Sequence, residues 1–246
     1  MEPLLHTLGL LRSLLFTIPL CFLWTVVMGA ASLVVSPFDP GARRQHKVAR
    51  WWARGILLIC AVRVAVRGFE NLEPGKHYVY VSNHQSYIDI PIVFGYLTVD
   101  FRIMAKATLF PIPFFGWHLK RTGHLPIGRT NVYADARRLL QAVGYIRQGI
   151  SVVVYPEGGR SVSGGLEEFR TGIFLAALKE GAPIVPVTIR GSRRVLSPRS
   201  WHIRPGRVEM ILDAPIATEG MGKERLEELV ARVRQVMERN YQGAAA

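Results

Sequence analysis

The sequence carries the polar stretch Ser82-Asn83-His84-Gln85-Ser86-Tyr87-Ile88-Asp89 directly after the β-rich run His77-Tyr78-Val79-Tyr80-Val81. Valine and tyrosine favour strands, whereas serine and asparagine favour turns and helix N-termini. A strand that ends in a polar turn is where an α/β protein usually carries its chemistry. The stretch therefore predicts an α/β fold with a candidate site at residues 82–89.

His84 and Asp89 form a candidate catalytic pair within this stretch. On a regular helix, a spacing of five residues would point the two side chains about 140° apart. If the helix begins near Ser82 or Asn83, His84 lies in the irregular first turn and can fold back toward Asp89. The carboxylate would then fix the imidazole tautomer and stabilise its protonated form, which makes His84 a candidate general base.

The pair has no accompanying Ser or Cys nucleophile motif, so the attacking oxygen is expected to belong to a substrate. A capped turn with a buried histidine is the structural alternative. A second stretch favours the catalytic interpretation.

This second stretch reads Ile150-Ser151-Val152-Val153-Val154-Tyr155-Pro156-Glu157-Gly158-Gly159-Arg160-Ser161. Paired glycines allow backbone N–H groups to form an anion nest, and the planar guanidinium of Arg160 suits a phosphate group. An ordinary Gly-Gly turn with a solvated arginine is the alternative for this segment taken alone. In combination with the first stretch, Gly158, Gly159 and Arg160 predict a phosphate site at the end of a strand.

The two stretches resemble conserved blocks of the glycerolphosphate acyltransferase family, in particular its 1-acylglycerol-3-phosphate acyltransferases. The likeness covers residues 78–190. Gly159 stands where the family usually has Thr, and the block Gly123-His124-Leu125-Pro126-Ile127-Gly128-Arg129 lacks the usual Phe-Ile core. Two further segments also match, Ile184-Val185-Pro186-Val187-Thr188-Ile189 and the run from Ala105-Lys106 through Ile112-Pro113-Phe114-Phe115-Gly116-Trp117.

The resemblance implies a glycerolphosphate acyltransferase-like mixed sheet flanked by helices, which transfers a fatty acyl group from a thioester to the free hydroxyl of lysophosphatidate. It implies His84 as the base, Asp89 as its partner, and Arg160 with Gly158 and Gly159 as the holder of the acceptor phosphate. Glu157 would position this loop or orient the substrate. Further phosphate candidates are Arg129, Arg170 and Lys106, although a solvated lysine is an equal alternative for Lys106.

The N-terminal part of the chain is apolar: residues 13–37 contain no charged side chain. At about 1.5 Å per residue this run is long enough to cross a hydrocarbon core of about 30 Å. A cleaved signal peptide, with a cleavage site near Ala30-Ala31-Ser32, is the lesser alternative. We expect an uncleaved anchor, and the family resemblance implies a two-helix element that embeds in one leaflet.

The segment that follows is basic and contains Trp51 and Trp52, as expected for the headgroup level on the cytoplasmic side. A second apolar stretch, residues 55–66, is interrupted by Arg63 and is too short and charged to span the bilayer. It favours an interfacial or half-inserted helix, with a buried core helix as the alternative. These patterns place the protein at the membrane, on the cytoplasmic face of the inner (plasma) membrane.

The net charge of +13 indicates an anionic partner. Because many basic residues flank apolar segments or motif glycines and no nucleic-acid reading motif is present, we expect membrane lipid and a lysophospholipid rather than nucleic acid.

The donor would be an acyl carrier protein or coenzyme A thioester, which is already activated and requires no cofactor. No metal is expected, because His84, Asp89, His118 and His124 lack ligand spacing. Cys21 and Cys60 are interpreted as small apolar residues.

The remaining pattern alternates strand and helix signals and predicts two regions, membrane-anchoring helices over residues 1–67 and a catalytic domain over residues 68–246. Helices are expected over residues 85–97, 131–148, 172–179 and 223–241, and strands near residue 78 and over residues 101–105, 149–155, 184–190 and 207–212. Residues 111–117 are expected to form a loop. The apolar stripe of the last helix predicts core packing.

Two alternatives to this function remain at the sequence level. The nearer is the same chemistry on another lysolipid or on an amino-acid-containing lipid, which the unusual block at residues 123–129 favours. The more distant is a non-catalytic membrane-surface protein that binds lipid.

Overall fold

The computed structural model describes residues 2–128 and 132–242, so Arg129 lies outside the described residues. Its helices are α1 (Glu2–Arg12), α2 (Ile18–Val35), α3 (Arg43–Ile59), α4 (Asp89–Tyr96), α5 (Phe115–Arg121), α6 (Val132–Arg147), α7 (Gly172–Glu180), α8 (Ser192–Val195) and α9 (Leu226–Gln242). Its strands are β1 (Val62–Arg67), β2 (Val79–Ser82), β3 (Phe101–Lys106), β4 (Leu125–Ile127), β5 (Ser151–Val154), β6 (Ile184–Arg190) and β7 (Gly206–Leu212).

The seven strands form one mixed sheet in the order β1-β7-β6-β2-β5-β3-β4. Strands β6, β2, β5, β3 and β4 are parallel, whereas β7 is antiparallel to β6 and pairs in parallel with β1. The carboxyl ends of β2 and β5, which lead into the polar parts of the two motif stretches, therefore meet at one edge of the sheet. We call this edge the catalytic edge.

Both faces of the sheet are covered by helices. Tyr78 and Tyr80 pack with residues of α3 and α4 on one face, and Val79 and Val81 pack with residues of α7 and α9 on the other. This alternation with a period of two is what a central strand buried on both faces requires. The predicted core stripe of α9 is confirmed, since Leu229, Val233 and Met237 are fully buried.

The predicted α/β class, mixed sheet and flanking helices are confirmed, but three local predictions were wrong. The helix expected from residue 85 begins only at Asp89, because the Asp89 carboxylate accepts the backbone N–H groups of Gln85 and Ser86 and holds them in a turn. Residues 55–66 are not one helix: α3 ends at Ile59 and β1 follows. Part of the expected loop over residues 111–117 is the start of α5.

The N-terminal apolar stretch is helical from Glu2 to Val35, with a π-helical turn at Ser13–Thr17 between α1 and α2. Among the described residues, Leu4–Phe38 is the helical segment whose length and mean hydropathy of 2.2 would suit a membrane span. Helix α2 packs on α3, where the Trp24 indole donates to the Trp52 carbonyl oxygen. The division after residue 67 stays a prediction, and β1, on its N-terminal side, is paired in the sheet.

Candidate active site

His84 and Asp89 are in direct contact at the catalytic edge: His84 Nδ1 lies 2.9 Å from Asp89 Oδ2. The Asp89 side chain is fully buried, and the same oxygen accepts the N–H groups of Gln85 and Ser86 at 2.7 Å each. A carboxylate oxygen surrounded by donors requires the proton on Nδ1 of the imidazole, so Nε2 carries the lone pair. The fold-back expected from the sequence is therefore present, but it occurs in a turn before the helix.

The loop that carries His84 is fixed to the rest of the sheet by its polar neighbours. The Asn83 side chain accepts the Ile189 N–H at 2.7 Å and donates to the Ile189 carbonyl oxygen at 2.8 Å. It thus makes the two hydrogen bonds with the backbone of β6 that a residue of a neighbouring strand would make. Ser86 Oγ donates to the Leu196 carbonyl oxygen at 2.7 Å. These side chains hold the histidine loop at the end of β2.

Glu157 joins the second stretch to the first. Its carboxylate accepts the His84 N–H at 2.7 Å through one oxygen and the Glu167 N–H at 3.1 Å through the other. A third link between the two stretches is the Ser161 N–H, which donates to the His84 carbonyl oxygen at 2.8 Å. Burial raises the pKa of Glu157 to about 7, although the two backbone N–H groups oppose this shift. The structure thus gives Glu157 backbone contacts that position both loops.

Tyr155 was not singled out from the sequence, yet its ring stacks on the imidazole of His84. The ring centroids lie 4.3 Å apart with an interplanar angle of 22°. The Tyr155 hydroxyl is buried and has no hydrogen-bond partner among the described residues, and burial raises its pKa well above the usual value. The stack restricts the plane in which the histidine ring can lie.

Arg160 lies against the ring of Tyr87, a contact that the sequence did not predict. The guanidinium carbon is 3.5 Å from the centroid of the Tyr87 ring, and Arg160 Nη1 donates to the Pro198 carbonyl oxygen at 3.4 Å. A guanidinium held over the face of an aromatic ring can still present N–H groups beyond the edge of the ring. The contact with Tyr87 therefore suits Arg160 to bind an anion through its planar set of N–H donors.

Gly158 is required by the close approach of Arg170. Its φ of +67° lies in the left-handed region, and a Cβ atom there would lie 2.6 Å from Arg170 Nε. The Gly158 N–H donates to the Tyr155 carbonyl oxygen at 3.0 Å and so closes the turn. The sequence had instead predicted that this N–H group would contribute to an anion nest. The glycine brings Arg170 against the motif loop.

An open cavity of about 790 Å³ lies beside this loop and brings several predicted residues together. Its lining includes Glu157, Gly159, Arg160 and Arg170. Lys106 is exposed at the carboxyl end of β3, which pairs with β5, and so lies at the same edge but not in the lining of the cavity. The cavity supplies cationic side chains beside the loop that carries His84.

The segment over residues 161–167 is held by a network that sequence spacing did not reveal. Glu167 accepts the Ser161 and Ser163 hydroxyls and the N–H groups of Val162 and Ser163. The hydroxyl and N–H groups of Ser163 contribute most to lowering the pKa of Glu167 to about 2. Arg193 donates to the carbonyl oxygens of Ser161 and Val162, which fixes the segment that follows Arg160.

Comparisons with known proteins agree with this geometry. The sequence profile of the family described as Acyltransferase matches residues 63–190. A chloroplastic 1-acyl-sn-glycerol-3-phosphate acyltransferase of Arabidopsis thaliana is 34% identical over 73% of the chain and 51% of its own length. The chain thus spans about half the length of that relative.

Two bacterial proteins match over nearly their full length. The 1-acyl-sn-glycerol-3-phosphate acyltransferase of Escherichia coli is 29% identical over 96% of this chain and 92% of its own. The crystal structure of the 1-acyl-sn-glycerophosphate (LPA) acyltransferase PlsC from Thermotoga maritima covers 100% of this chain and 98% of its own, with 25% identity and a TM-score of 0.82. Motifs, fold and sequence agree, and this chain belongs to the Acyltransferase family.

Proposed function

We propose that this chain is a 1-acyl-sn-glycerol-3-phosphate O-acyltransferase, which transfers a fatty acyl group from a thioester to the free hydroxyl of lysophosphatidate and forms phosphatidate. The observation that carries the proposal is the contact between the His84–Asp89 pair and the loop of Glu157 and Arg160, made through the His84 backbone. This contact supports the assignment of a base and a phosphate-binding site on adjoining loops. The names of the relatives support the choice of substrate.

His84 acts as the general base. Because Asp89 holds the proton on Nδ1, Nε2 is available to take the proton of the acceptor hydroxyl as its oxygen attacks the thioester carbonyl. The imidazolium that forms is stabilised by the adjacent carboxylate. When the tetrahedral intermediate collapses, the carbon–sulfur bond breaks and the leaving thiolate takes the proton from His84. The acyl group passes directly to the alcohol, so no acyl-enzyme is needed.

Arg160 and Arg170 bind the phosphate of the acceptor. Both line the cavity beside the histidine loop, and Arg160 is oriented by its stack on Tyr87. Two charged forks fit a phosphate better than a neutral headgroup, because each N–H group donates a charge-assisted hydrogen bond. Gly158 and Gly159 allow this close packing of the loop, Glu157 holds it in place, and Arg129 and Lys106 are further phosphate ligands in this proposal.

The acyl donor is a thioester of acyl carrier protein or coenzyme A. Both carriers are anionic, which suits a chain with a net charge of +13. The thioester is already activated for attack, so the reaction draws on no other cofactor.

The protein acts at the membrane, on the cytoplasmic face of the inner membrane. Helix α1 and the turn after it expose Leu4, Leu5, Leu8, Leu15 and Phe16 to the surroundings, each with more than half of its surface accessible. The outer side of α3 carries basic side chains together with Trp51, which is 66% exposed. A helix with apolar, basic and Trp residues on its exposed face suits the headgroup region of an anionic leaflet.

An acceptor panel tests the proposal. Detergent-purified protein is incubated with a long-chain acyl-coenzyme A or acyl carrier protein thioester and, in parallel, with lysophosphatidate, lysophosphatidylglycerol, lysophosphatidylethanolamine or an amino-acid-containing lipid. Thiol release and product lipid are measured. Phosphatidate formed faster than any other product supports the proposal. Turnover confined to a different acceptor would transfer the function to that lipid, and turnover with none would contradict the enzymatic assignment.

A further inference from the structure

Residues 196–205, between α8 and β7, form a surface segment that we call the Trp201 segment. Trp201 is 70% exposed, and Arg199 and Arg204 are exposed on either side of it. Tryptophan flanked by cationic side chains is typical of segments at the headgroup level of a membrane. The segment therefore presents an aromatic residue between two cations.

The Trp201 segment is bound to the N-terminal helix. Ser13 Oγ accepts the Ile203 N–H at 3.0 Å, and Arg12 Nη2 donates to the Ile203 carbonyl oxygen at 2.5 Å. The His202 ring packs edge-on against His6, with centroids 4.8 Å apart. Ser13 begins the π-helical turn between α1 and α2, so the helix changes its hydrogen bonding where it meets the segment.

The same segment also reaches the candidate active site. The Pro198 carbonyl oxygen accepts from Arg160 Nη1, and the Leu196 carbonyl oxygen accepts from Ser86 Oγ. Because β7 is antiparallel to β6, the start of β7 at Gly206 lies at the catalytic edge. The segment thus connects the apolar helix with the phosphate-binding arginine on one side of the molecule.

We propose that the Trp201 segment is a further membrane-contact site, in addition to α1 and α3, which rests on an anionic bilayer beside the N-terminal helix. Trp201 occupies the headgroup level, where its ring is partly in apolar surroundings and its indole N–H remains hydrated. Arg199 and Arg204 bind the phosphates of anionic lipids. The segment contacts α1 through His6, and α1 itself exposes Leu4, Leu5 and Leu8.

The function of this contact follows from its links to the site. Helices α1 and α3 determine where the protein is attached, and a further contact at the Trp201 segment, which touches Arg160 through Pro198, fixes the orientation of the catalytic edge. Since Pro198 touches Arg160, a Trp201 segment held at the headgroups sets the depth of Arg160 relative to the lipid phosphates. This consequence rests on the proposed function, but the membrane contact itself does not.

A depth measurement tests the contact without using activity. A fluorescent NBD label is attached to Arg199→Cys in a background with Cys21→Ala and Cys60→Ala, and the full chain is reconstituted into vesicles of phosphatidylglycerol and phosphatidylethanolamine that contain a nitroxide-labelled lipid. The matched control carries the label at Glu228→Cys. This position lies near the start of α9, whose other end contacts Arg190 at the catalytic edge through the Asn240 carbonyl oxygen.

The label at position 199 is expected to be quenched severalfold more than the label at position 228. Adding Trp201→Ala should lower the quenching at position 199, and Trp201→Tyr should largely restore it because tyrosine also prefers the interface. Equal quenching at the two positions would overturn the proposal, as would quenching at position 199 that is unchanged by Trp201→Ala.

A turnover measurement tests the orienting role. Trp201→Ala should lower acylation of lysophosphatidate presented in vesicles severalfold, while acylation of a short-chain, water-soluble lysophosphatidate stays at the wild-type rate. An equal loss with both acceptors would assign Trp201 to folding and overturn the orienting role. Wild-type protein that is quenched as expected but turns over neither acceptor would contradict the proposed function and leave the contact intact.

Discussion

Replacing Asp89 with asparagine separates the charge of this side chain from its geometry. Asp89 Oδ2 accepts three hydrogen bonds, from His84 Nδ1 and the N–H groups of Gln85 and Ser86, whereas Oδ1 has no partner among the described residues. An asparagine can place its carbonyl oxygen at the position of Oδ2 and its NH₂ group at that of Oδ1. The turn and the imidazole tautomer are then preserved, and the negative charge is lost.

The size of the effect follows from the distance between the charges. Two unit charges about 4 Å apart attract by about 4 kcal/mol at an effective dielectric constant of about 20. This attraction stabilises the imidazolium, which forms only as the hydroxyl loses its proton. At 1.36 kcal/mol for each factor of ten, Asp89→Asn should lower kcat about 10³-fold. The KM for lysophosphatidate should change little, because Asp89 does not line the phosphate cavity.

Initial rates of thiol release, measured over a range of lysophosphatidate concentrations, separate kcat from KM. Thermal unfolding of the variant in the same detergent shows whether the turn has survived. Asp89→Ala is the less informative change, because it would leave three buried donors without an acceptor and destabilise the fold. A well-folded Asp89→Asn protein that retains more than a tenth of the wild-type kcat would refute the assigned role of the carboxylate.

Three further predictions concern the neighbours of the pair. Tyr87→Ala should raise the KM for lysophosphatidate about twofold to fivefold, in line with about 0.5–1 kcal/mol for an exposed cation–π contact to Arg160. Tyr87→Phe should leave this KM unchanged, and equal effects of the two substitutions in steady-state kinetics would contradict the role of the contact. Because the pKa of Glu157 is raised, its contribution to the free energy of unfolding is present below about pH 4.5 and is lost as the pH rises through about 7. The melting temperature of the wild type should therefore fall over this pH range, and that of Glu157→Gln should not. A parallel fall in both proteins would exclude Glu157 as its source. Tyr155→Phe should raise the melting temperature while kcat is kept, because it removes a buried hydroxyl that has no hydrogen-bond partner in the described part of the chain. Tyr155→Leu should instead lower kcat by freeing the His84 ring, and an unchanged kcat in this variant would argue against the stack.

Much of the sheet was predictable because its strands are short apolar runs followed by turn residues. The strand predicted over residues 184–190 and the helix over residues 172–179 agree closely with β6 and α7. Strand β1 was missed because Arg63 was treated as an interruption of an apolar stretch. The residues Val62, Val64 and Val66 alternate with a period of two, which is the signal of a strand and was present in the sequence.

The candidate site was predictable in its residue types but not in its contacts. The N-cap residues Ser82 and Asn83 indicated that His84 could fold back toward Asp89, and the planar guanidinium of Arg160 beside two glycines indicated a phosphate site. The contacts of Tyr155 with His84 and of Arg160 with Tyr87 join two segments that are distant in the sequence. Local sequence patterns do not predict such contacts, because they depend on the pairing of β2 with β5.

In the proposed mechanism, His84 removes the proton of a lysophosphatidate hydroxyl during direct acyl transfer. The measurement that tests it most directly is phosphatidate formation from a long-chain acyl thioester and lysophosphatidate by wild-type protein and by His84→Ala, with both proteins shown to melt alike. We predict that the wild type forms phosphatidate with stoichiometric thiol release and that the variant loses activity by several orders of magnitude. Phosphatidate formation that persists at a comparable rate in a folded His84→Ala protein would contradict the account.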